Sequence, residues 1–293
     1  MSKYFHGVNQ QGPYFEGWYF KCQSQSGEAI ALIPALHINN AGQESASLQI
    51  IAESGTWWLE YPVADFCAWP DRLRIQIGTN VFSDAGLSLD IKRSNISLCG
   101  RLDFGPFLPL SSDIMGPFRF FAGMECSHGV ISMMHSNQGQ LILNGAVLDF
   151  NGGMGYAETD RGRSFPSAYL WTQCSWLSGS LMLSVASIPL AKINFTGCIC
   201  AIVYRSKQDR IATYRGAKVE SWSKHGAVIR QGKYRLEVTL LEQQAQPLRA
   251  PTDGAMNRTI HESLCAKLRY RFWISGKLIF DHTDCRASFE YSG

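Results

Sequence analysis

Glu158, Asp160, Arg161 and Arg163 fall within six residues of one another in the stretch GYAETDRGRSFPSAYLWTQC (155–174), between segments rich in aromatic residues. A second stretch, PYFEGWYFK (13–21), sets Glu16 among Tyr14, Phe15, Trp18, Tyr19 and Phe20. Carboxyl groups in such company have a definite chemistry. Removal from water disfavours the carboxylate, so the group can keep its proton near neutral pH and deliver it as a general acid. Aromatic faces attract cations and suit a pocket in which positive charge develops on carbon. The same residues also admit a structural reading, in which each acid is paired with a neighbouring arginine in a fixed network.

Further candidates lie mid-chain. Glu125 and His128, in MECSH (124–128), form an acid and histidine pair suited to proton transfer if both face a cavity. In the following segment Ile131, Met133 and His135 share a face at strand period, where a hydrogen-bonded core role for His135 stands beside a catalytic one. Towards the C-terminus PLRAP (247–251) reads as a rigid turn, with Arg249 or Arg258 as partners for the acids. No GxSxG, HExxH, P-loop or strand-borne GxGxxG occurs, which argues against a hydrolase, kinase or dinucleotide enzyme. No cofactor is expected.

The elements that must position these groups are strands. Leu73, Ile75 and Ile77, then Leu87, Leu89 and Ile91, then Tyr234, Leu236, Val238 and Leu240 alternate with polar residues, the pattern of half-buried β-structure. Turn residues punctuate them at Asn39-Asn40, Ser83-Asp84-Ala85-Gly86 and Asn151-Gly152-Gly153. The spacing predicts an all-β fold of two antiparallel barrel or sandwich halves packed together. A boundary is expected at the glycine cluster 151–155, giving domains 1–154 and 155–293. Both halves open with a similar phrase, FEGWYFKCQ (15–23) and FPSAYLWTQC (165–174), a faint internal repeat.

Composition agrees with a large core or an apolar pocket: of 293 residues, 45% are hydrophobic, 12% aromatic and only 17% charged. The net charge of +3 is scattered except for Lys267, Arg269 and Arg271, which alternate along one strand, so nucleic acid is not an expected partner. Nine cysteines lack both CxxC pairs and framework spacing, and Cys198 and Cys200 share a strand face. They read as reduced, buried thiols, and no metal site is expected. Without a signal-like N-terminus or an apolar run of membrane-spanning length, a cytoplasmic location is expected. Peripheral contact with a membrane surface is compatible with an apolar ligand.

Taken together, PYFEGWYFK (13–21), the AE-x-D-x-G-x-x-FP and W-x-QC pattern across 157–174, PLRAPT (247–252) and ASFE (287–290) resemble the tocopherol cyclase family, in the same order over nearly the whole chain. The likeness is greatest to its small bacterial members. It implies two lipocalin-like barrels, related to the carotenoid hydratase group, and a reaction without cofactor on a prenylated ring. A proton adds to a trisubstituted alkene, and a phenolic oxygen captures the tertiary cation. The family pattern marks Glu16, Trp18, Glu158, Asp160, Gly162, Phe165, Trp171 and Gln173, with Glu125 where plant members have a glutamate and Arg161 where they have Trp. The resulting expectation has Glu158 or Asp160 as proton donor, with Glu16 and Glu125 as further acids. Arg161 and Arg163 would tune them, Trp18 and Trp171 would wall the substrate, and Tyr19, His128, His135, Phe165 and Gln173 would complete its binding surface. The expected partner is a lipophilic isoprenoid or quinol-like molecule. The alternative is a lipocalin-like protein that binds an apolar ligand without transforming it.

Overall fold

The computed structural model describes residues 3–121, 124–190 and 193–293. Among them the fold is all-β, with three single 3-10 turns and no α-helix. Strands β1 (Tyr14–Gln23), β2 (Ala29–Ile38), β3 (Glu44–Ala52) and β4 (Gly55–Tyr61) form the first meander. A 3-10 turn at Val63–Asp65 leads to β5 (Phe66–Ala68), β6 (Arg74–Ile77), β7 (Asn80–Ser83), β8 (Gly86–Arg93) and β9 (Ile96–Phe104). Then come β10 (Cys126–Leu143), β11 (Ala146–Asp149) and β12 (Gly153–Gly162). The second half repeats the scheme with β13 (Tyr169–Trp176), β14 (Gly179–Leu190), β15 (Ile193–Tyr204) and β16 (Lys207–Ala212). After the 3-10 turn Thr213–Arg215 follow β17 (Lys218–Ser223), β18 (Gly226–Gln231), β19 (Tyr234–Glu242), β20 (Gln246–Thr252), β21 (Ala255–Ile274) and β22 (Lys277–Ser292).

The two sheets follow the same scheme of strand order, the first with 12 strands and the second with 10 among the described residues. One runs β4-β3-β2-β1-β12-β10-β9-β8-β7-β6-β5 with β11 on β10, and the other β16-β15-β14-β13-β22-β21-β19-β18-β17 with β20 on β21. In each, the opening strand pairs antiparallel with its hairpin partner and with the last strand, β1 with β2 and β12, β13 with β14 and β22. The free edges of each sheet are consecutive strands joined through a 3-10 turn, β4 and β5 or β16 and β17. These edges do not pair, so neither sheet closes into a barrel by hydrogen bonds. That qualifies the expected barrels and gives the sequence repeat of β1 and β13 a topological basis.

The chain divides into two compact units. One comprises Met1–Pro109, Val130–Ser164 and Arg249–Arg258, the other Leu110–Gly129, Phe165–Leu248 and Thr259–Gly293. The glycine cluster forms the turn between β11 and β12 and the start of β12, inside the first unit. The core of the first unit gathers Trp18, Phe20, Ile30, Leu32, Leu48, Phe82 and Leu98, and that of the second Leu170, Leu183, Ile202, Leu236, Tyr270 and Phe272. Peripheral strands alternate as expected: Leu87, Leu89 and Ile91 point inward while Ser88, Asp90 and Lys92 do not. The central strands do not alternate, because β13 is buried along its whole length and β1 everywhere but at Gly17.

Two local expectations are settled here. Lys267, Arg269 and Arg271 form a cross-strand ion-pair ladder with Glu242 (2.6 Å), Asp281 (2.5 Å) and Glu237. PLRAP is not a turn but part of β20, which pairs only with β21, so its prolines cost no second ladder. The Arg249 head group lies 3.6 Å from Glu60 and over the Trp58 ring, not on the acids of the two motifs. Two histidines lie in the first unit's interior. His37 bonds Ser47 Oγ at 2.8 Å, and burial pushes it down to about 4. His135 bonds Ser132 Oγ at 3.1 Å between the rings of Phe104 and Phe107, and burial pushes it down to about 3.

A base whose folded pKa lies below its unfolded value near 6.5 binds its proton only on unfolding, so stability falls as pH drops from about 6.5. Each histidine is expected to remove roughly 1 to 2 kcal/mol by pH 5. Urea denaturation across pH 7.5 to 5 should show this slope, flattened in a His37→Gln/His135→Gln double variant relative to the parent. The β20–β21 turn supplies a second test. Gly254 and Gly276 both have left-handed φ, +73° and +79°. A Cβ on Gly254 would lie 1.9 Å from the Ile38 carbonyl oxygen and 2.7 Å from Tyr14 N, whereas one on Gly276 meets nothing within 4 Å. Gly276→Ala should cost about 1 kcal/mol from the backbone conformation alone, and Gly254→Ala roughly 3 kcal/mol or more because backbone must move, measured in the same denaturation assay.

Candidate active site

The β1–β12 ladder fixes where the sequence-marked acids point. Its register opposes Glu16 with Arg161, Gly17 with Asp160, Trp18 with Thr159, Tyr19 with Glu158, Phe20 with Ala157 and Lys21 with Tyr156. Opposed residues in an antiparallel pair project to one face, and neighbours along a strand to opposite faces. Glu16, Trp18, Phe20, Ala157 and Arg161 therefore share the face that builds the first unit's core. Tyr19, Lys21, Tyr156, Glu158 and Asp160 share the other. The two motifs are adjacent in space, yet their acids do not meet.

On the core face Glu16 is wholly buried, and its oxygens are engaged by protein donors. His6 N donates to Oε2 at 2.8 Å, Tyr14 O–H donates to Oε2 at 2.8 Å, and His6 Nδ1 lies 2.9 Å from Oε1. Burial, then the Glu16 carboxylate, push the Tyr14 phenol up, against the opposing pull of Arg161. Trp18 packs against Phe5 and Phe66, with ring centroids 6.1 and 6.3 Å away, as a core residue. Arg161 thus belongs with Glu16, not with its sequence neighbour Asp160. Arg163 pairs with Asp253, Nε to Oδ1 at 3.1 Å, and is largely exposed.

On the opposite face Tyr156 donates its O–H to Glu158 Oε2. Both are removed from water, Glu158 being 4% exposed. The Tyr156 phenol is pushed well up by burial first, then by Glu158, Asp160 and Tyr19. Asp160, two residues on, is partly buried on the same face. Tyr19, directly across from Glu158, supplies the aromatic surface that Trp18 does not. Lys21 ends this row, 1% exposed opposite Tyr156. Sequence reasoning missed Tyr14, Tyr156 and Lys21. Tyr-x-Glu occurs twice, at 14–16 and 156–158, and at strand period puts phenol beside carboxyl.

The remaining candidates sit on other elements. Glu125 precedes β10, and His128 is its third residue, both partly buried within the segment Leu110–Gly129. His135 is the core histidine described above. In the second unit, β13 turns Leu170, Cys174 and Trp176 into the core and Tyr169, Trp171 and Gln173 to the other face. Phe165 meets Tyr169 edge-on at 5.9 Å, and Gln173 Nε2 donates to Ser175 Oγ at 2.8 Å. Tyr169 O–H donates to Glu290, which opposes Trp171 on β13 and Glu262 on β21. Glu262 and Glu290, 2% and 6% exposed, are buried acids that sequence reasoning did not single out. A pocket of about 170 Å³ in this unit is lined by Ser111, Gln208, Asp209, Arg210, Arg215 and Tyr234. It is too small and too polar for an isoprenoid. No helix among the described residues is long and apolar enough to cross a membrane.

Comparison with solved structures gives the same fold. CghA in complex with Sch210972 superposes with a TM-score of 0.59 at 11% identity, covering 96% of this chain and 88% of that one. A putative AttH from Nitrosomonas europaea gives 0.56 at 11% identity, over 99% and 94% of the two chains. Kievitone hydratase from Nectria haematococca gives 0.52 at 10% identity, over 99% and 93%. No curated protein sequence matches the chain. The tocopherol cyclase-like family model matches residues 119–293, more than half of the chain and all of the second meander. The chain belongs to the tocopherol cyclase-like family.

Proposed function

We propose that this protein is a cofactor-independent cyclase or isomerase that protonates an alkene of a lipophilic prenylated molecule, with Glu158 as the donor. The observation that carries the reading is the buried Tyr156–Glu158 pair beside Tyr19, on a face separate from Arg161. The phenol of Tyr156 orients the buried carboxyl while remaining protonated itself. Glu16 has its oxygens filled by His6 and Tyr14 and serves to fasten the N-terminal segment to β1. Asp160 is a second acid on the donor's face. Membership of the family and the name of one structural relative, a hydratase, support proton addition to an unsaturated, lipophilic substrate.

In this reaction the Glu158 proton adds to one alkene carbon and leaves a tertiary cation on the other. Tyr19 stabilises that cation through its ring face. A phenolic oxygen of the substrate then bonds to the cation and releases its own proton, which restores the acid and leaves the overall formula unchanged.

Deuterium reports the step directly. In heavy water, a prenylated hydroquinone incubated with the purified protein should yield a cyclised product with one deuterium on carbon, read by mass spectrometry. Glu158→Gln keeps the shape and the Tyr156 contact and should lower turnover about 100-fold or more. Glu16→Gln should act mainly on stability. Ligand that binds but returns unchanged and undeuterated would overturn the enzyme reading in favour of a binding protein, and full activity in Glu158→Gln would overturn the donor.

A further inference from the structure

The core face of the second unit contains a cluster that acid chemistry does not use. Cys174 Sγ, a ring nitrogen of His282 and a carboxylate oxygen of Asp284 lie within 4.8 Å of one another. His282 and Asp284 are two residues apart on β22, so strand alternation sets imidazole and carboxylate side by side. The neighbouring strand β13 brings Cys174 to them across more than a hundred residues of chain.

Each donor is held in place by something else. Asp284 Oδ1 accepts from the Arg286 backbone N–H at 2.6 Å, which turns Oδ2 to His282 Nε2 at 3.3 Å. The His282 ring stacks on Trp176 with centroids 4.5 Å apart and planes at 20°. Cys174 is wholly buried near the C-terminal end of β13. Such outer contacts orient metal ligands in known sites.

Thiolate, imidazole and carboxylate are the donor types of zinc, bound at roughly 2.0 to 2.3 Å in a tetrahedron. Donors so bound stand roughly 3.3 to 3.8 Å apart, a spacing that the His282–Asp284 pair already has. A coordinated thiolate and carboxylate carry two negative charges, which a divalent ion offsets inside a core otherwise built from Leu, Val, Ile and aromatic residues. A sulfur donor selects the zinc class over calcium or magnesium. The plainer reading is a His–Asp pair beside an inert core thiol.

We propose that Cys174, His282 and Asp284 form a divalent-metal site of the zinc class that staples β13 to β22 and leaves one position for water. His282, 24% exposed at its side chain, marks the side from which the ion enters. The site lies on the face of β13 opposite Trp171 and Gln173 and is independent of the donor assigned to Glu158.

Cobalt(II) is the probe. The full chain, stripped with chelator, should bind one equivalent with the visible bands of tetrahedral cobalt and a near-ultraviolet thiolate-to-cobalt band. Zinc(II) should displace it and raise the thermal midpoint. Cys174→Ser should abolish the thiolate band and weaken binding about 100-fold or more, whereas Cys285→Ser, at an exposed cysteine, should leave both unchanged. Asp284→Asn gives a second loss of affinity if Cys174→Ser does not fold. Less than one equivalent bound by the parent protein, or a spectrum unchanged in the Cys174 or Asp284 variant, overturns the site.

Discussion

Pairing of the first strand with the last is the constraint on which each sheet depends. β1 against β12 and β13 against β22 join the two ends of a meander that is open elsewhere, and the opening strands β1 and β13 are buried along almost their whole length. A strand covered on both faces has no solvated side on which to place polar groups. Any polar residue on it must find its partner inside the protein or pay the desolvation cost of a lost hydrogen bond. Chemistry-bearing residues and core residues thus compete for the same few positions, and strand parity decides which face each one serves.

The tyrosine–carboxyl unit resolves that competition. Tyr14 serves Glu16, Tyr156 serves Glu158, and Tyr169 serves Glu290, each phenol donating to a buried carboxyl. A phenol suits this role because its ring adds to the apolar packing while its O–H meets an acceptor that would otherwise be stranded. Burial and the adjacent carboxyl push the Tyr14 and Tyr156 phenols up, so both stay donors over the whole working pH range. Two of the three units are formed within one strand at i and i+2, the cheapest way for a sheet to build one. The third joins β13 to β22.

Much of this was legible in the sequence, and what was missed has a physical cause. Alternation identified β6, β8 and β19 because these strands have one solvated face. The aromatic phrases were recognisable as an internal repeat, and their repetition reflects equal places in the two sheets. Register was not legible. Nothing in PYFEGWYFK says that Glu16 faces the core with Trp18 while Tyr19 faces Glu158, since that follows from which residue of β12 stands opposite. The meeting of Glu262 with Glu290 and of Cys174 with His282 and Asp284 was not legible for the same reason, being assembled across strands far apart in the chain. PLRAP misled because proline was read as a turn former, where an edge strand tolerates it.

Parity also bears on how the family pattern transfers to this chain. Arg161 stands where the family resemblance implies tryptophan in plant members, and beside Asp160 in sequence it looks like a cation thrust into the proposed donor site. The register puts it instead on Glu16's side of the sheet, where its charge offsets the effect of Glu16 on Tyr14. The Glu158 face keeps a phenol, a second acid and the ring of Tyr19, and meets no guanidinium from position 161. The substitution therefore alters the electrostatics of the core-facing acid and leaves the aromatic surface beside Glu158 intact. Because a one-residue step along a strand exchanges the two faces, motif positions one apart must be compared by face before they are compared by residue type.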